Sequence, residues 1–298
     1  MLYLCSTLLL SIHLAQAPYY QEAMGNYDIK ELQKCILNIL LAVDKVCREH
    51  DIRYWLSDGT MLGAVRHGGF IPWDDDADIA MPRPDYQRFI EHGEEWLPKP
   101  FELQTFQKDV NCTSAFLKVI DGSTTLIERW TLNSIGGVYI DVCPIDGIPS
   151  QRWRRRMRIG LVHAAKSLVY LRSRDPYKRG HGYTSWLPRL LQATTKNITL
   201  QRLQLRLQTA YDYETAPLIA DYDSGDRSTM PREVMGTPTP ILFEGHELLG
   251  VEHPDEYLTR LYGDYMTPPP ENKRHIHGFD YVDFNQSYHD YHDTRVFK

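Results

Sequence analysis

The sequence has few cysteines and no sign that they are paired. The five cysteines are odd in number and widely spaced, at positions 5, 35, 47, 112 and 143, and no Cys-x-x-Cys motif occurs. Such spacing argues against a disulfide framework and against a cysteine zinc site. A chain of 298 residues buries enough surface to fold without such staples. We therefore expect a reduced, cytoplasmic setting.

Long apolar runs are scarce as well. The segment that comes nearest to one is 1–17, which lacks a basic start and is short for a transmembrane helix. Three interpretations compete: a secretion signal cleaved after Ala17, a membrane anchor, or an extension upstream of a start near Met24. We favour the third over secretion or anchoring, so that 1–24 is a leader or a mis-assigned extension and 25–290 forms a single domain.

The chain as a whole has no excess of positive charge, but one region does. The net charge of −6 gives no reason to expect a nucleic-acid partner, yet 151–180 carries ten Lys/Arg against one acidic residue. On a helix, Arg154, Arg155 and Arg158 share a face beside an apolar edge. This pattern predicts a peripheral contact of 152–158 with a membrane surface or a phosphorylated glycan. A solvated helix face is the alternative.

Hydrophobic periodicity predicts an α+β fold, with a mixed β-sheet core flanked by helices. Apolar residues recur every three or four positions from Ile29 to Val46, and Asp28 is a suitable N-cap for that helix. The region 151–235 is rich in helical pattern, which predicts a helical subdomain, and 221–240 reads as a loop over the functional site. Further helices are expected at 85–96, 152–174 and 187–213, and strands at 53–56, 76–81, 101–106, 115–120, 124–127 and 138–142.

The densest chemical signal is the acidic run Trp73-Asp74-Asp75-Asp76-Ala77-Asp78. Four carboxylates in five residues repel one another strongly unless a positive charge lies among them. On a strand, Asp74, Asp76 and Asp78 project from one face because side chains alternate. Carboxylates at this spacing can hold a hard divalent cation, Mg²⁺ or Mn²⁺, with room for substrate phosphates. The apolar residues on both sides argue against a solvated loop.

Two other segments complete the pattern. Gly59-Thr60 stands between a predicted strand and a predicted helix, where backbone N–H groups bind an anion such as phosphate. Asp141 lies in the apolar strand 138–142, where an unpaired carboxylate is costly, so it is the candidate third metal ligand. A Gly-Thr helix start, an Asp-x-Asp strand and a distant third Asp together resemble the pattern of nucleotidyltransferases.

Three longer blocks make the likeness more specific. The first runs from Tyr54 to Phe89 and includes Leu62-Gly63-Ala64-Val65-Arg66-His67, Phe70-Ile71-Pro72-Trp73-Asp74-Asp75-Asp76 and Met81-Pro82-Arg83; the second is Asp141-Val142-Cys143-Pro144-Ile145-Asp146-Gly147; the third includes Phe243-Glu244-Gly245 and Tyr262-Gly263-Asp264-Tyr265-Met266. These blocks resemble the LicD family, which comprises bacterial phosphorylcholine transferases and is related to fukutin and fukutin-related protein. Asp58 stands where that family often has a small residue.

The resemblance implies a transferase that moves phosphocholine, or a related phospho-alcohol, from CDP-choline or another CDP-alcohol to a saccharide or glycolipid acceptor. Lipopolysaccharide and teichoic acid are acceptors of this kind. Asp76 and Asp78 then hold Mg²⁺, and Asp141 completes the site or activates the acceptor hydroxyl. Arg66 and His67 neutralise the leaving nucleotide, although Arg66 also suits an ion pair with the acidic strand.

Other interpretations stay open. Within enzymes, the alternative is a nucleotidyltransferase that releases pyrophosphate, and outside them a non-catalytic glycan-binding relative. His275 and His277, with Asp280 nearby, are candidates for contacts with donor phosphates. A polar tail or a second metal cluster are the competing interpretations of this pair.

Overall fold

A computed structural model describes residues 27–106, 108, 112, 114, 116–130, 135–174, 186–274, 276 and 278–292. The interpretations of 1–24 therefore concern residues outside the described part of the chain. Within the described ranges, no helix combines the length and the apolar character that a bilayer crossing requires. The four cysteines in those ranges are all free thiols.

The described chain contains both helices and strands. The helices are α1 (Ile29–Glu49), α2 (Asp58–His67), α3 (Arg83–Trp96), α4 (Arg152–Ser173), α5 (Trp186–Thr194), α6 (Asn197–Gln208), α7 (Arg232–Met235) and α8 (Pro254–Tyr262). The strands are β1 (Trp55–Leu56), β2 (Asp78–Pro82), β3 (Phe101–Gln104), β4 (Leu117–Asp121), β5 (Thr125–Ile127), β6 (Tyr139–Ile148), β7 (Leu218–Ala220), β8 (Thr239–Phe243), β9 (His246–Gly250) and β10 (Tyr281–Asp283).

The central sheet is mixed and has the strand order β1-β2-β6-β4-β3, with β7 paired to the far end of β6. Strands β2 and β6 run parallel, while the other neighbours are antiparallel. Two small antiparallel pairs, β8 with β9 and β5 with β10, lie beside it. The predicted α+β class, a mixed sheet flanked by helices, is confirmed.

Helix α1 shows how the sequence forms the core. Asp28 caps it by accepting the N–H of Lys30 (2.8 Å), as expected for an N-cap carboxylate. Its apolar residues recur on one face, which is buried against β4 and β6. Together with the inner strands and helix α3, this face forms the main hydrophobic core.

Helix α4 belongs to a second, smaller apolar cluster. Its residues Ile159 and Val162 pack with Ile148 at the end of β6, with Ala220 at the end of β7 and with Tyr222 just beyond it. The predicted helix at 187–213 is divided into α5 and α6 by a short break at 195–196. The segment 221–240 contains a 3₁₀ turn, helix α7 and the start of β8 as well as loop.

Candidate active site

A row of charged residues crosses the centre of the sheet. Asp78 of β2 is the register partner of Asp141 on β6, and Asp141 is the partner of Lys118 on β4. Residues directly opposed on neighbouring strands point to the same face, so these three side chains form one rung. The next rung, on the opposite face, is apolar and consists of Ile79, Val142 and Leu117. The structure thus brings Asp78 and Asp141 together, although they are far apart in sequence.

The acidic run differs from the expected strand in one respect. Strand β2 begins at Asp78, so Asp74 and Asp76 lie in the segment that leads into it. The strand that was predicted to start at Asp76 thus starts two residues later, although half-buried Asp74, Asp76 and Asp78 still alternate with buried Asp75 and Ala77. Side-chain oxygens of Asp74, Asp75 and Asp76 nevertheless come within 4.8 Å of one another.

The electrostatics of Asp78 reflect this crowding. Burial raises the pKa of Asp78 well above its usual value, and the carboxylates of Asp76, Asp58 and Asp141 raise it further. A positive charge placed among crowded carboxylates would stabilise their ionised forms. A divalent cation supplies that charge through oxygen ligands, which this cluster offers.

Asp75 has a structural task within the acidic run. Its side chain is only 1% exposed. Its Oδ2 accepts hydrogen bonds from the Tyr27 hydroxyl (3.1 Å) and from the Gly278 N–H (2.8 Å). Asp75 therefore ties the start of the described chain and the C-terminal segment to the acidic run.

The start of α2 lies against the same carboxylates. A Cβ atom at Gly59 would lie 3.0 Å from Oδ2 of Asp74, so glycine lets the acidic run approach the helix terminus. Thr60 is buried, and its hydroxyl accepts the backbone N–H of Asp78 (2.8 Å), which fixes α2 on β2. The first amides of a helix have no intrahelical partner, so the terminus remains suited to an anion.

Asp58 links α2 to the loop 221–228. Its φ of 43° lies in the left-handed region, which a glycine adopts more readily. The Asp58 N–H donates to the Tyr257 hydroxyl (3.1 Å), and the Ser224 hydroxyl donates to its carboxylate (3.2 Å). Burial raises the pKa of Asp58. Burial likewise raises the pKa of Asp221 to about 7, with Asp223 and Asp58 adding to the shift.

Lys118 is a functional candidate that the sequence analysis missed. Its side chain is buried, and Nζ lies 3.7 Å from Oδ1 of Asp141, forms an ion pair with Glu128 and sits 3.4 Å from the Tyr139 ring centroid. Burial alone lowers the pKa of Lys118, but Asp141 and Glu128 outweigh that effect and leave it above its usual value. The signal in the sequence is a lone lysine inside the apolar run of β4.

The predicted phosphate-contact residues are only partly described. Nη1 of Arg66 donates to the Tyr265 carbonyl (2.7 Å), and Nε of Arg66 donates to Nδ1 of the exposed His67 (3.4 Å). Burial lowers the pKa of Arg66, and the carboxylate of Asp74 opposes this shift. Arg66 thus lies close enough to the acidic run to act on its charge. His275 and His277 lie outside the described residues, between which only 276 is described.

Several motif residues hold the fold rather than the site. Arg83 forms a bidentate ion pair with Asp146, one of whose contacts is 2.7 Å from Nε to Oδ1, and both side chains are buried. Glu244 accepts the Phe70 N–H (3.0 Å) and donates its own N–H to the Gly68 carbonyl (2.8 Å). These contacts fasten α3 to β6 and the turn after α2 to the β8–β9 hairpin.

The basic segment 152–158 departs from its expected geometry. Arg155 turns toward Asp226 (2.6 Å), and Arg158 donates to the Leu207 carbonyl (3.2 Å). The prediction that Arg154, Arg155 and Arg158 form one outward basic face is therefore wrong for the last two. The Asp226 carboxylate and the Leu207 carbonyl are distant in sequence, so the spacing of the arginines does not predict these contacts.

Comparison with known proteins gives a family for part of the chain and several relatives. Residues 51–154 match the family described as LicD/FKTN/FKRP, nucleotidyltransferase domain. The lipopolysaccharide cholinephosphotransferase LicD of Haemophilus influenzae is 28% identical over 261 residues, which cover 85% of this chain and 97% of that protein. The human ribitol 5-phosphate transferase FKRP is 57% identical over 30 residues, 10% of this chain and 6% of that protein.

A further relative is described as a regulator and not as a transferase. Mannosyltransferase regulator 4 of Saccharomyces cerevisiae is 28% identical over 117 residues, 39% of this chain and 9% of that protein. The matched family domain contains both Asp78 and Asp141 as well as the start of α2. The resemblance that the motifs indicated is confirmed: residues 51–154 match the LicD/FKTN/FKRP nucleotidyltransferase domain, and the chain is similar to a LicD protein over 85% of its length.

Proposed function

We propose that this protein transfers phosphocholine, or a related phospho-alcohol, from a CDP-activated donor to a saccharide acceptor with the help of Mg²⁺ or Mn²⁺. The observation that carries the proposal is the facing pair Asp78 and Asp141, set among further carboxylates on a domain of this family. Similarity to a lipopolysaccharide cholinephosphotransferase along 97% of that protein supports the type of group transferred and a glycan acceptor.

The residues present fit a hard divalent cation. The donors are all carboxylate oxygens, and those of Asp74, Asp75 and Asp76 come within 4.8 Å of one another. Burial raises the pKa of Asp78, and the surrounding carboxylates raise it further, as expected where like charges are crowded. Asp76, Asp78 and Asp141, with Asp74 at the edge, would hold the ion. When bound, Mg²⁺ would neutralise these carboxylates and the donor's phosphates.

The chain's own residues then position the reacting groups, which is most of what phosphoryl transfer asks of a protein. The α2 terminus at Gly59 and Thr60 would bind a donor phosphate through its amides. Arg66 would balance charge on the leaving nucleotide. Asp141 would accept the proton of the acceptor hydroxyl, with Lys118 holding that carboxylate in place.

A donor screen tests the proposal directly. CDP-choline, CDP-ethanolamine, CDP-glycerol and CDP-ribitol are incubated with the protein and a glycan acceptor, with Mg²⁺ or with EDTA, and CMP release is measured. We expect CMP from at least one donor with Mg²⁺ and little with EDTA. Asp76→Asn tests the metal site, because an amide of the same shape cannot supply a charged ligand, and we expect this variant to release little CMP.

The same screen separates the alternatives. Release of pyrophosphate from a nucleoside triphosphate, without CMP from any CDP-alcohol, would indicate a nucleotidyltransferase. Calorimetry with CDP-choline in the presence and absence of Mg²⁺ addresses a non-catalytic relative, since such a protein shows no metal-linked nucleotide binding. Equal CMP release by wild type and Asp76→Asn would contradict the proposed metal site.

A further inference from the structure

Helix α4 has an apolar stripe on the side that faces away from the fold. The buried residues of this helix, Ile159, Val162, Ala165 and Val169, lie on one side. On the other side Trp153, Met157, Leu161 and Leu168 are exposed, at spacings of four, four and seven residues that keep them in line along the helix. The neighbouring helix α5 adds an exposed Trp186 and Leu190. We call the α4 stripe the outer face.

Exposed apolar side chains arranged in one line usually mark an interaction surface. Here two of the six are tryptophans, which favour the boundary between water and lipid headgroups. An amphipathic helix that lies on a membrane has this composition, with an apolar stripe bordered by Lys and Arg.

The charge around the outer face is of one sign. Residues 151–174 and 186–210 together contain twelve Lys/Arg and no Asp or Glu, in a chain whose net charge is −6. Exposed Arg152, Arg154 and Arg156 border the stripe at its N-terminal end. The guanidinium of Arg154 lies over the Trp153 ring at 5.3 Å. Such segregation favours an anionic partner, and the apolar stripe favours one with a hydrocarbon interior.

The opposite side of α4 is tied to the active-site loop. Arg155 pairs with Asp226 (2.6 Å), Lys166 pairs with Asp223 (2.9 Å), and Ser224 between them donates to Asp58 (3.2 Å). One helix therefore separates the outer face from the loop that borders the catalytic carboxylates. A surface docked on the outer face would lie next to the site.

We infer that the outer face of α4 docks the protein on an anionic lipid bilayer. The docking itself does not depend on the proposed transfer reaction. Its consequence, that the acceptor is a lipid-linked saccharide presented at that surface, rests on the proposed function.

Co-sedimentation of the full chain with vesicles tests the docking. We expect binding to vesicles that contain phosphatidylglycerol, weaker binding at high salt, and little binding to pure phosphatidylcholine. Trp153→Ser with Met157→Ser should lower the partition coefficient about tenfold. Arg152→Gln with Arg154→Gln should lower it by roughly fivefold for each charge removed.

Matched controls are available elsewhere on the surface. Trp153 and Met157 are 64% and 53% exposed, and Leu242 and Met266 are 60% and 55% exposed. Leu242→Ser with Met266→Ser should therefore leave vesicle binding unchanged, as should Lys34→Gln with Lys45→Gln on α1. Circular dichroism confirms that each variant is folded before its binding is compared.

Several results would overturn the inference. Failure of the wild type to bind phosphatidylglycerol vesicles is one, and equal binding by wild type and Trp153→Ser/Met157→Ser is another, since a different segment would then carry the contact. If light scattering shows a wild-type dimer that this variant converts to monomer, and vesicles are not bound, the outer face is a self-association surface.

Transfer assays separate this inference from the proposed function. The outer-face variant should keep its kcat and KM with a soluble acceptor and show about a tenfold higher KM with the lipid-linked acceptor. Transfer to a soluble acceptor without vesicle binding would contradict docking and leave the reaction standing. Vesicle binding without transfer from any donor would contradict the proposed reaction and leave the docking standing.

Discussion

The two ends of the β2–β6 pair differ in the charges that they place together. At the start of the pair, Asp78 faces Asp141, two like charges on adjacent strands. Near the other end of β6, the carboxylate of Asp146 receives a bidentate ion pair from Arg83. All four residues belong to the blocks that resemble the LicD family.

The difference separates chemistry from architecture within one motif set. A buried ion pair with satisfied hydrogen bonds is a structural device whose loss leaves an uncompensated charge. A second kind of buried charge is a carboxylate that faces another across two strands, where the two repel unless a positive charge lies among them. Asp78, whose pKa burial raises first and like charges raise further, is of the second kind.

The largest expected effect comes from changing the like-charge end. Asp78→Asn should lower kcat by about a thousandfold or more, because it removes a charged oxygen from the metal site. In EDTA the same variant should unfold a few degrees above wild type, since one repelling charge is gone. CMP release and thermal unfolding measure the two effects. A variant that is both less active and less stable in EDTA would mean that Asp78 is structural.

The paired end should behave in the opposite way. Arg83→Met should cost about 3–5 kcal/mol of unfolding free energy by leaving Asp146 buried and unpaired, while the kcat of the folded fraction changes little. The double variant Arg83→Met/Asp146→Leu should recover most of that loss. Urea unfolding of both variants checks this. If the single variant matches wild type in stability, the ion pair does not hold α3 on the sheet.

Much of this contrast was within reach of the sequence. The cost of a lone carboxylate in an apolar strand drew attention to Asp141, which the structure places opposite Asp78. The same argument applied to Lys118 would have found the lysine beside it. Helix α1 and the mixed sheet followed from periodicity and caps. The pairing of Arg83 with Asp146 did not, because contacts between distant segments leave no spacing pattern.

Two other features required the fold. Asp58 and Asp221 interact electrostatically, as the raised pKa of Asp221 reflects after the larger effect of its burial, although more than 160 positions separate them. Asp74 and Asp76 lie before β2 because the pairing of β2 with β6 begins only at Asp78. The alternation of residue types does not predict where that pairing begins. Likewise, the inward turn of Arg155 depends on Asp226, which lies in a loop that only the fold brings near.

Lys118 offers a sharper test of the like-charge end, with a smaller expected effect. Lys118→Met should lower kcat about a hundredfold, because the positive charge beside Asp141 is lost from a buried position. Lys118→Arg should recover part of the loss by restoring the charge. Steady-state kinetics with the best donor provides the measurement. A methionine variant with unchanged kcat but lower stability would make Lys118 a purely structural partner of Glu128.

The smallest predicted effect concerns pH and the loop that borders Asp58. Burial, assisted by Asp223 and Asp58, raises the pKa of Asp221 to about 7 in the folded protein, from about 3.9 when unfolded. The folded state therefore favours the protonated form, and stability is lost as pH rises from about 4 through 7. A pKa shift of this size corresponds to about 4 kcal/mol of unfolding free energy. Because the Asp221 side chain is only half-buried, solvent screening reduces the expected loss to about 2 kcal/mol. Thermal unfolding in EDTA between pH 5 and 8 should show this decline in wild type and a flatter profile in Asp221→Asn. Parallel profiles for the two proteins would show that Asp221 has the same pKa in the folded and the unfolded state. The group of mutually repelling carboxylates would then not extend from the sheet to Asp221.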